Sequence, residues 1–337
     1  MKRYISIVLL CGLLAGLLLT GCIGPLQPQT TTESTTGEDT GQTTLPAQTD
    51  APTTAAPTTI APTTTVPTTV PVTYTPDIVT GAPDPSAGTF TGYTPLAPRS
   101  MTAPDPDNMR GLSEKKIGYS FGVSKNQVPP SQSVSNQAVF DPYNALAIDL
   151  KSPGKVLYMT FDCGYENGLT GDILDTLKQK TVPAAFFCTL SYIKQQPSLT
   201  ARMIKEGHIV GNHSSTHPEF PDISRTKMAK EVLDCDNYLR EKFGYTAPYF
   251  RFPTGSYSDS ALDLVQAIGF RSVFWSVAYA DWDIQNQKGK QFAFDTVTSR
   301  LHPGAVILLH AVSSDNAQAL GDIIDWARAQ GYEFRAL

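Results

Sequence analysis

Val156-Leu157-Tyr158-Met159-Thr160-Phe161, followed at once by Asp162-Cys163-Gly164, is the stretch on which the reading of this 337-residue chain turns. The first six residues read as a β-strand, and the strand runs out into a polar cluster. Further β-rich runs follow at 184–189, 208–212, 249–251, 272–275 and 305–309. Helix-like stretches lie between them at 170–180, 197–206, 225–243, 258–268 and 316–330. Strands alternating with helices argue for a parallel sheet with covering helices. About 230 residues of this texture suit one α/β barrel.

Upstream of that region the chain is different in kind. From Thr30 to Thr75 more than half the residues are Thr or Pro, and prolines recur every five positions at 52, 57, 62 and 67. Proline at that density blocks helices and sheet ladders, so a disordered Thr/Pro-rich linker is expected over 23–110. At roughly 3 Å per extended residue it can hold a domain far from its anchor. The anchor is expected at the start of the chain. Lys2 and Arg3 precede an apolar run from Tyr4 to Leu19, right for a signal peptide and short for a confident membrane span. Leu19-Thr20-Gly21-Cys22 then resembles a bacterial lipobox, which implies cleavage before a lipidated Cys22. The expected organisation is a lipoprotein signal over 1–22, the linker over 23–110 and a folded α/β domain over 111–337, tethered to the membrane and working outside the cytoplasm.

Charge narrows the partners. The formal net charge is −5, and residues 23–98 hold six acidic side chains and no basic one, which leaves the folded part close to neutral. A basic nucleic-acid footprint is absent. Cys163, Cys188 and Cys235 remain once Cys11 is set aside and Cys22 is lipidated. An odd number leaves at least one free thiol, and a Cys188–Cys235 bridge stays open.

Four polar clusters fall where strands should end, the face on which catalytic groups collect in an α/β barrel. They are Asp162-Cys163-Gly164, His213-Ser214-Ser215-Thr216-His217, Asp281-Trp282 and His310. Placed on a helical turn, His213 and His217 would present two imidazoles to one divalent metal. A metal with an open position polarises a carbonyl and acidifies a water, which needs a base and, for the leaving amine, an acid. Asp162 suits the base, with Arg251 holding it ionised. His310 suits the acid if Asp281 pairs with it.

Taken together these residues resemble a family. Thr160-Phe161-Asp162-Cys163-Gly164, His213 through His217, Arg251-Phe252-Pro253-Thr254-Gly255, Asp281-Trp282 and Leu308-Leu309-His310 resemble, in that order, the five motifs of the polysaccharide deacetylases (NodB homology, carbohydrate esterase family 4). The resemblance implies an α/β fold, a distorted (β/α) barrel of the NodB type, and metal-assisted removal of acetyl from N-acetylated sugars. It implies Asp162 as catalytic base, His213 and His217 as metal ligands, Arg251 as the group orienting the base, His310 as acid and Asp281 as its partner. The backbone N–H of Thr254 is implied as an oxyanion donor, and Tyr165 and Trp282 are expected along the substrate groove.

Longer strings, Asp162 through Gly168, Asn286-Gln287-Lys288-Gly289-Lys290 and Leu308 through Ala317, look like the branch that de-N-acetylates muramic acid in forming its δ-lactam. That implies peptidoglycan as partner; the alternatives are a deacetylase of N-acetylglucosamine, chitin oligomers or acetylxylan, or, with Cys163 at a ligand position, a catalytically silent glycan-binding lipoprotein. Lys288 and Lys290 would offer positive charge to an anionic lactyl group. One departure stands out: Cys163 occupies the place of a ligand Asp in the general family. Its thiolate could ligate zinc alongside the two histidines, or the thiol could stay out and the metal lean on Asp162.

Overall fold

The computed structural model describes residues 93–337, all within the unit Pro67–Leu337. The expected signal segment, Cys22 and most of the expected linker lie outside the described residues. The strands are β1 (Val156–Cys163), β2 (Ala184–Cys188), β3 (Ile209–Asn212), β4 (Tyr249–Phe250), β5 (Arg271–Ser272), β6 (Ala305–His310) and β7 (Glu333–Phe334). The helices are α1 (Ser131–Phe140), α2 (Thr170–Lys180), α3 (Leu190–Gln195), α4 (Pro197–Lys205), α5 (Arg225–Phe243), α6 (Asp259–Ala267), α7 (Lys290–Arg300) and α8 (Ser314–Ala329). The strands form one parallel sheet in the order β5-β4-β3-β2-β1-β6, with β7 also paired to β1. This is the distorted (β/α) barrel expected from the sequence.

All eight residues of β1 are buried, as a central parallel strand requires. Its alternate side chains enter two separate apolar clusters. Leu157, Met159, Phe161 and Cys163 join the large cluster with Phe186 and Ile307. Val156 and Tyr158 join a smaller one with Phe187, Val273 and Val306 on the other face. Period-two alternation therefore puts Asp162 on the face of Tyr158, and Cys163 among the core side chains of the opposite face.

Parallel register then aligns the strand ends. Asp162 is level with His310 on β6 and with Phe187 on β2, and Asn212 is level with Phe250. The polar strand ends are thereby gathered on one rim. Gly211 is needed in this arrangement, because a Cβ there would lie 2.6 Å from the Phe187 ring.

Three helices were not expected from the sequence. α1 reads Ser-Gln-Ser-Val-Ser-Asn-Gln-Ala-Val-Phe and buries polar Ser133, Asn136 and Gln137 beside Phe140, so it has no apolar stripe. α3 is only six residues long. α7 starts at the last residue of the run 286–290 and buries only Ala293, Val297 and Thr298.

The expected linker also ends earlier than residue 110. Residues 93–110 lie along the domain: the Leu96 N–H donates to the Arg240 carbonyl at 2.9 Å, and the Arg225 guanidinium donates to the carbonyls of Asp105 (2.7 Å) and Pro104 (3.1 Å). Long-range partners, both backbone and side chain, satisfy this proline-containing segment in place of a sheet ladder, which no local pattern reports.

Candidate active site

Asp162, at the end of β1, is the centre of the site. It is buried, and its Oδ1 accepts from Arg251 Nη1 at 2.8 Å. Arg251 follows β4 and is fully buried, with Nε donating to the Val273 carbonyl at 3.0 Å and Nη2 to the Phe274 carbonyl at 3.2 Å. Its guanidinium carbon stands 4.0 Å from the centre of the Phe187 ring. A planar fork filled on every side cannot be replaced by lysine. Burial opposes charge on Asp162, but Arg251, then His213 and His310, outweigh it and hold the carboxyl below its ordinary range.

His213 follows β3. Its Nδ1 donates to the Arg251 carbonyl at 2.8 Å, which fixes the tautomer and leaves Nε2 3.5 Å from Asp162 Oδ2. Burial pushes its pKa down to about 4, so the ring is neutral at neutral pH, the form that binds metals. His217 is exposed, with its ring centre 4.8 Å from that of His213, and burial of its surroundings also lowers its pKa.

The segment carrying these two histidines is a loop, not the helical turn expected. Ser214 and His217 have positive φ (69° and 61°), and the His217 N–H donates to Ser214 Oγ at 2.9 Å. Buried Glu231 of α5 organises it, accepting from the backbone N–H groups of Ser215 (3.0 Å) and Thr216 (2.7 Å) and from Thr216 Oγ1 (2.7 Å). The sequence reading missed Glu231. The only signal was an acidic residue on the inner face of an amphipathic helix.

His310, at the end of β6, faces Asp162 from the neighbouring strand. Its Nδ1 is bonded to Asp281 Oδ1 at 2.7 Å, and its backbone N–H donates to Asp281 Oδ2 at 2.8 Å. Asn316 Nδ2 also donates to Asp281 Oδ2, at 2.5 Å. Burial works against a charge on the ring, but the hydrogen bond and charge of Asp281 outweigh it, so the His310 pKa is raised.

Asp162, His213, His217 and His310 line one cavity of about 1130 Å³. Tyr165, Thr254 and Trp282 line it too, with the Trp282 ring centre 5.8 Å from that of His310. Thr254 has φ 56°, an outlier for a β-branched residue.

Cys163 does not line this cavity. It is fully buried in the core, level with Cys188, and burial together with a hydrogen bond to Cys188 raises its pKa well above the ordinary thiol value. A zinc ligand has to be a thiolate. Of the two alternatives the sequence left, the geometry therefore has the thiol staying out. Cys163, Cys188 and Cys235 are all free.

Among the described residues no group of three or more His, Cys, Asp or Glu side chains stands gathered as a metal site. The donors nevertheless suit a divalent ion in kind. A carboxylate and a neutral imidazole with its Nε2 free approach within 3.5 Å, and a second imidazole lies beside them on the same cavity wall.

Comparison with known proteins gives one consistent picture. The family model described as polysaccharide deacetylase matches residues 149–273. The peptidoglycan-N-acetylmuramic acid deacetylase PdaA of Bacillus subtilis is 41 % identical over 231 residues, covering 67 % of this chain and 86 % of that protein. The solved structure of Bacillus subtilis PdaA, a family 4 carbohydrate esterase, superposes with a TM-score of 0.64 at 39 % identity, over 67 % of this chain and 96 % of the other. A family 4 carbohydrate esterase from Bacillus anthracis superposes with a TM-score of 0.56 at 35 % identity, over 67 % and 95 %.

Proposed function

The chain belongs to the polysaccharide deacetylases, the family 4 carbohydrate esterases, and from that premise we propose that it hydrolyses the acetamido group of peptidoglycan amino sugars, N-acetylmuramic acid foremost. The observation that carries the reading is the register of Asp162 with His310, which sets a base and an acid on adjacent strands at the head of one cavity. Similarity to the muramic acid deacetylase supports the choice of sugar.

Asp162, His213 and His217 are the residues that would hold a divalent cation, zinc by the character of the donors. When bound, such an ion supplies Lewis acidity toward the acetyl carbonyl and the attacking water. Asp162 accepts the proton of that water as oxygen bonds to the carbonyl carbon. Arg251 keeps Asp162 ionised and fixes its direction. The N–H of Thr254, presented by its left-handed backbone, donates to the oxygen that gains charge. His310, kept protonated by Asp281, gives its proton to the nitrogen as the C–N bond breaks, leaving acetate and a free amine. On muramic acid that amine can close on the lactyl carboxyl with loss of water, giving the δ-lactam. We place this work outside the cytoplasm, on a membrane tether through Cys22, a reading supported by the lipobox-like tetrapeptide and the Thr/Pro-rich segment.

The test is acetate release from purified peptidoglycan, with and without its stem peptides, by wild type, Asp162→Asn and His310→Ala. Mass spectra of muramic residues should show loss of one acetyl and, on lactam closure, of one water. Equal acetate from all three proteins would remove the enzymatic reading. Acetate drawn only from N-acetylglucosamine would move the substrate to the neighbouring sugar.

A further inference from the structure

Besides the phenols of Tyr165 and Tyr279, five ionisable groups line the cavity: Asp162, His213, His217, His310 and Arg300. The first four are accounted for above. Arg300 is not. It is the last residue of α7, half-buried, and its Nη1 donates to the Ala278 carbonyl at 2.5 Å. Among the described residues the guanidinium has no other acceptor and no carboxylate within ion-pair distance. Arg251, by contrast, is satisfied by Asp162 and two carbonyls.

The anchoring carbonyl places Arg300 in the site. Ala278 follows Val277, whose carbonyl accepts from the Leu308 N–H at 2.8 Å, and Leu308 lines the cavity two residues before His310 on β6. Asp281, which holds His310, is three residues beyond Ala278. Arg300 is thus tied to the wall that carries the acid. The lysines expected from the sequence to meet an anionic substrate are elsewhere. Lys290 Nζ pairs with Asp322 Oδ2 at 2.7 Å, Lys288 Nζ sits 4.7 Å from the Phe292 ring centre, and neither lines the cavity.

We propose that Arg300 is a carboxylate subsite of this cavity, which selects an N-acetylated sugar whose ring carbon adjacent to the one bearing the acetamido group carries an ether ending in a free carboxylate. The inference rests on the deacetylase reading above and names the feature of substrate that it selects. The half-buried guanidinium has one carbonyl acceptor and no counter-charge, and burial disfavours its charge, driving its pKa downward. A carboxylate has the geometry to meet it, accepting from two N–H groups at once. The lactyl ether of muramic acid puts such a group beside the reacting amide. An amidated lactyl group is neutral and leaves the guanidinium without its counter-charge.

The test uses the full-length protein and two tetrasaccharides of alternating N-acetylglucosamine and N-acetylmuramic acid, one with lactyl carboxyls free and one with them converted to carboxamides. By kcat/KM for acetate release the wild type should favour the acid. In Arg300→Gln that preference should shrink on the order of 10- to 100-fold, mostly in KM, and Arg300→Lys should keep part of it. A wild type with no preference for the acid, or a preference unchanged in Arg300→Gln, overturns the inference and leaves deacetylation standing. No acetate from either glycan overturns the deacetylase reading instead. The inference is then decided by calorimetric Kd values for N-acetylmuramic acid and its carboxamide on the same proteins, and equal values overturn it.

Discussion

His310 and Asp281 are joined twice, once through the ring Nδ1 at 2.7 Å and once through the backbone N–H at 2.8 Å, so one carboxylate fixes both the tautomer and the position of the ring. The contact raises the pKa of the histidine, which keeps a proton on it above the ordinary imidazole value. A general acid has to be protonated, so activity should fall on the alkaline side only as pH rises through that raised value. In Asp281→Asn the alkaline limb of the kcat profile should move to lower pH, with kcat down about 10²-fold at neutral pH. A limb at the wild-type position would remove Asp281 from this role.

Asp162 and Arg251 form the most buried ion pair of the site, at 2.8 Å. Removing one partner leaves a buried charge alone, at a cost of about 3–5 kcal/mol. Arg251→Met should therefore lower stability by that order in urea unfolding and abolish activity as well. The double variant Arg251→Met/Asp162→Asn should recover much of the stability and none of the activity. Equal stability of single and double variants would show that the pair is not coupled.

His213 gives the fold a pH dependence of known sign. Its pKa is about 4 in the fold, against the higher ordinary imidazole value when unfolded. The unfolded chain then takes up the proton first as pH falls, so stability is full above the ordinary value, declines on acidification and levels below about pH 4. Thermal melts in chelator should show this decline in the wild type and a shallower one in His213→Asn. Parallel curves would contradict the buried neutral ring.

Cys163 shows what was and was not legible in the sequence. The strands with their alternating helices, such as those at 170–180 and 225–243, and the polar strand ends follow from local pattern, because a strand between two parallel neighbours needs a continuous apolar run. Alternation along β1 already separates Asp162 from Cys163, yet it gives no sign of which face opens on the cavity. That face is set by Phe187 and Val273, which arrive from distant parts of the chain. Glu231 and Arg300 were invisible for the same reason: each ends a long-range hydrogen bond, to Thr216 and to Ala278, on a helix whose own pattern is unremarkable in charge. Cys163→Ala should accordingly cost about 1–3 kcal/mol of stability by loss of core packing and leave zinc affinity and kcat unchanged. Loss of zinc binding in this variant would restore the thiol to the site.

Glu231 holds the histidine loop from beneath, through two backbone N–H groups and the Thr216 hydroxyl. The loop needs this because Ser214 and His217 occupy the left-handed region, where non-glycine residues are disfavoured and depend on their surroundings. Glu231→Ala removes the acceptor for all three donors, so His217 loses its fixed position while Asp162, Arg251 and His310 keep theirs. Outer groups that orient metal ligands typically contribute about 10- to 100-fold in metal affinity. Zinc titrations of the variant should show a loss of that size, and kcat should return toward the wild-type value when zinc is saturating. A kcat that stays low at saturating zinc, with affinity unchanged, would mean that the loop serves the substrate and not the ion.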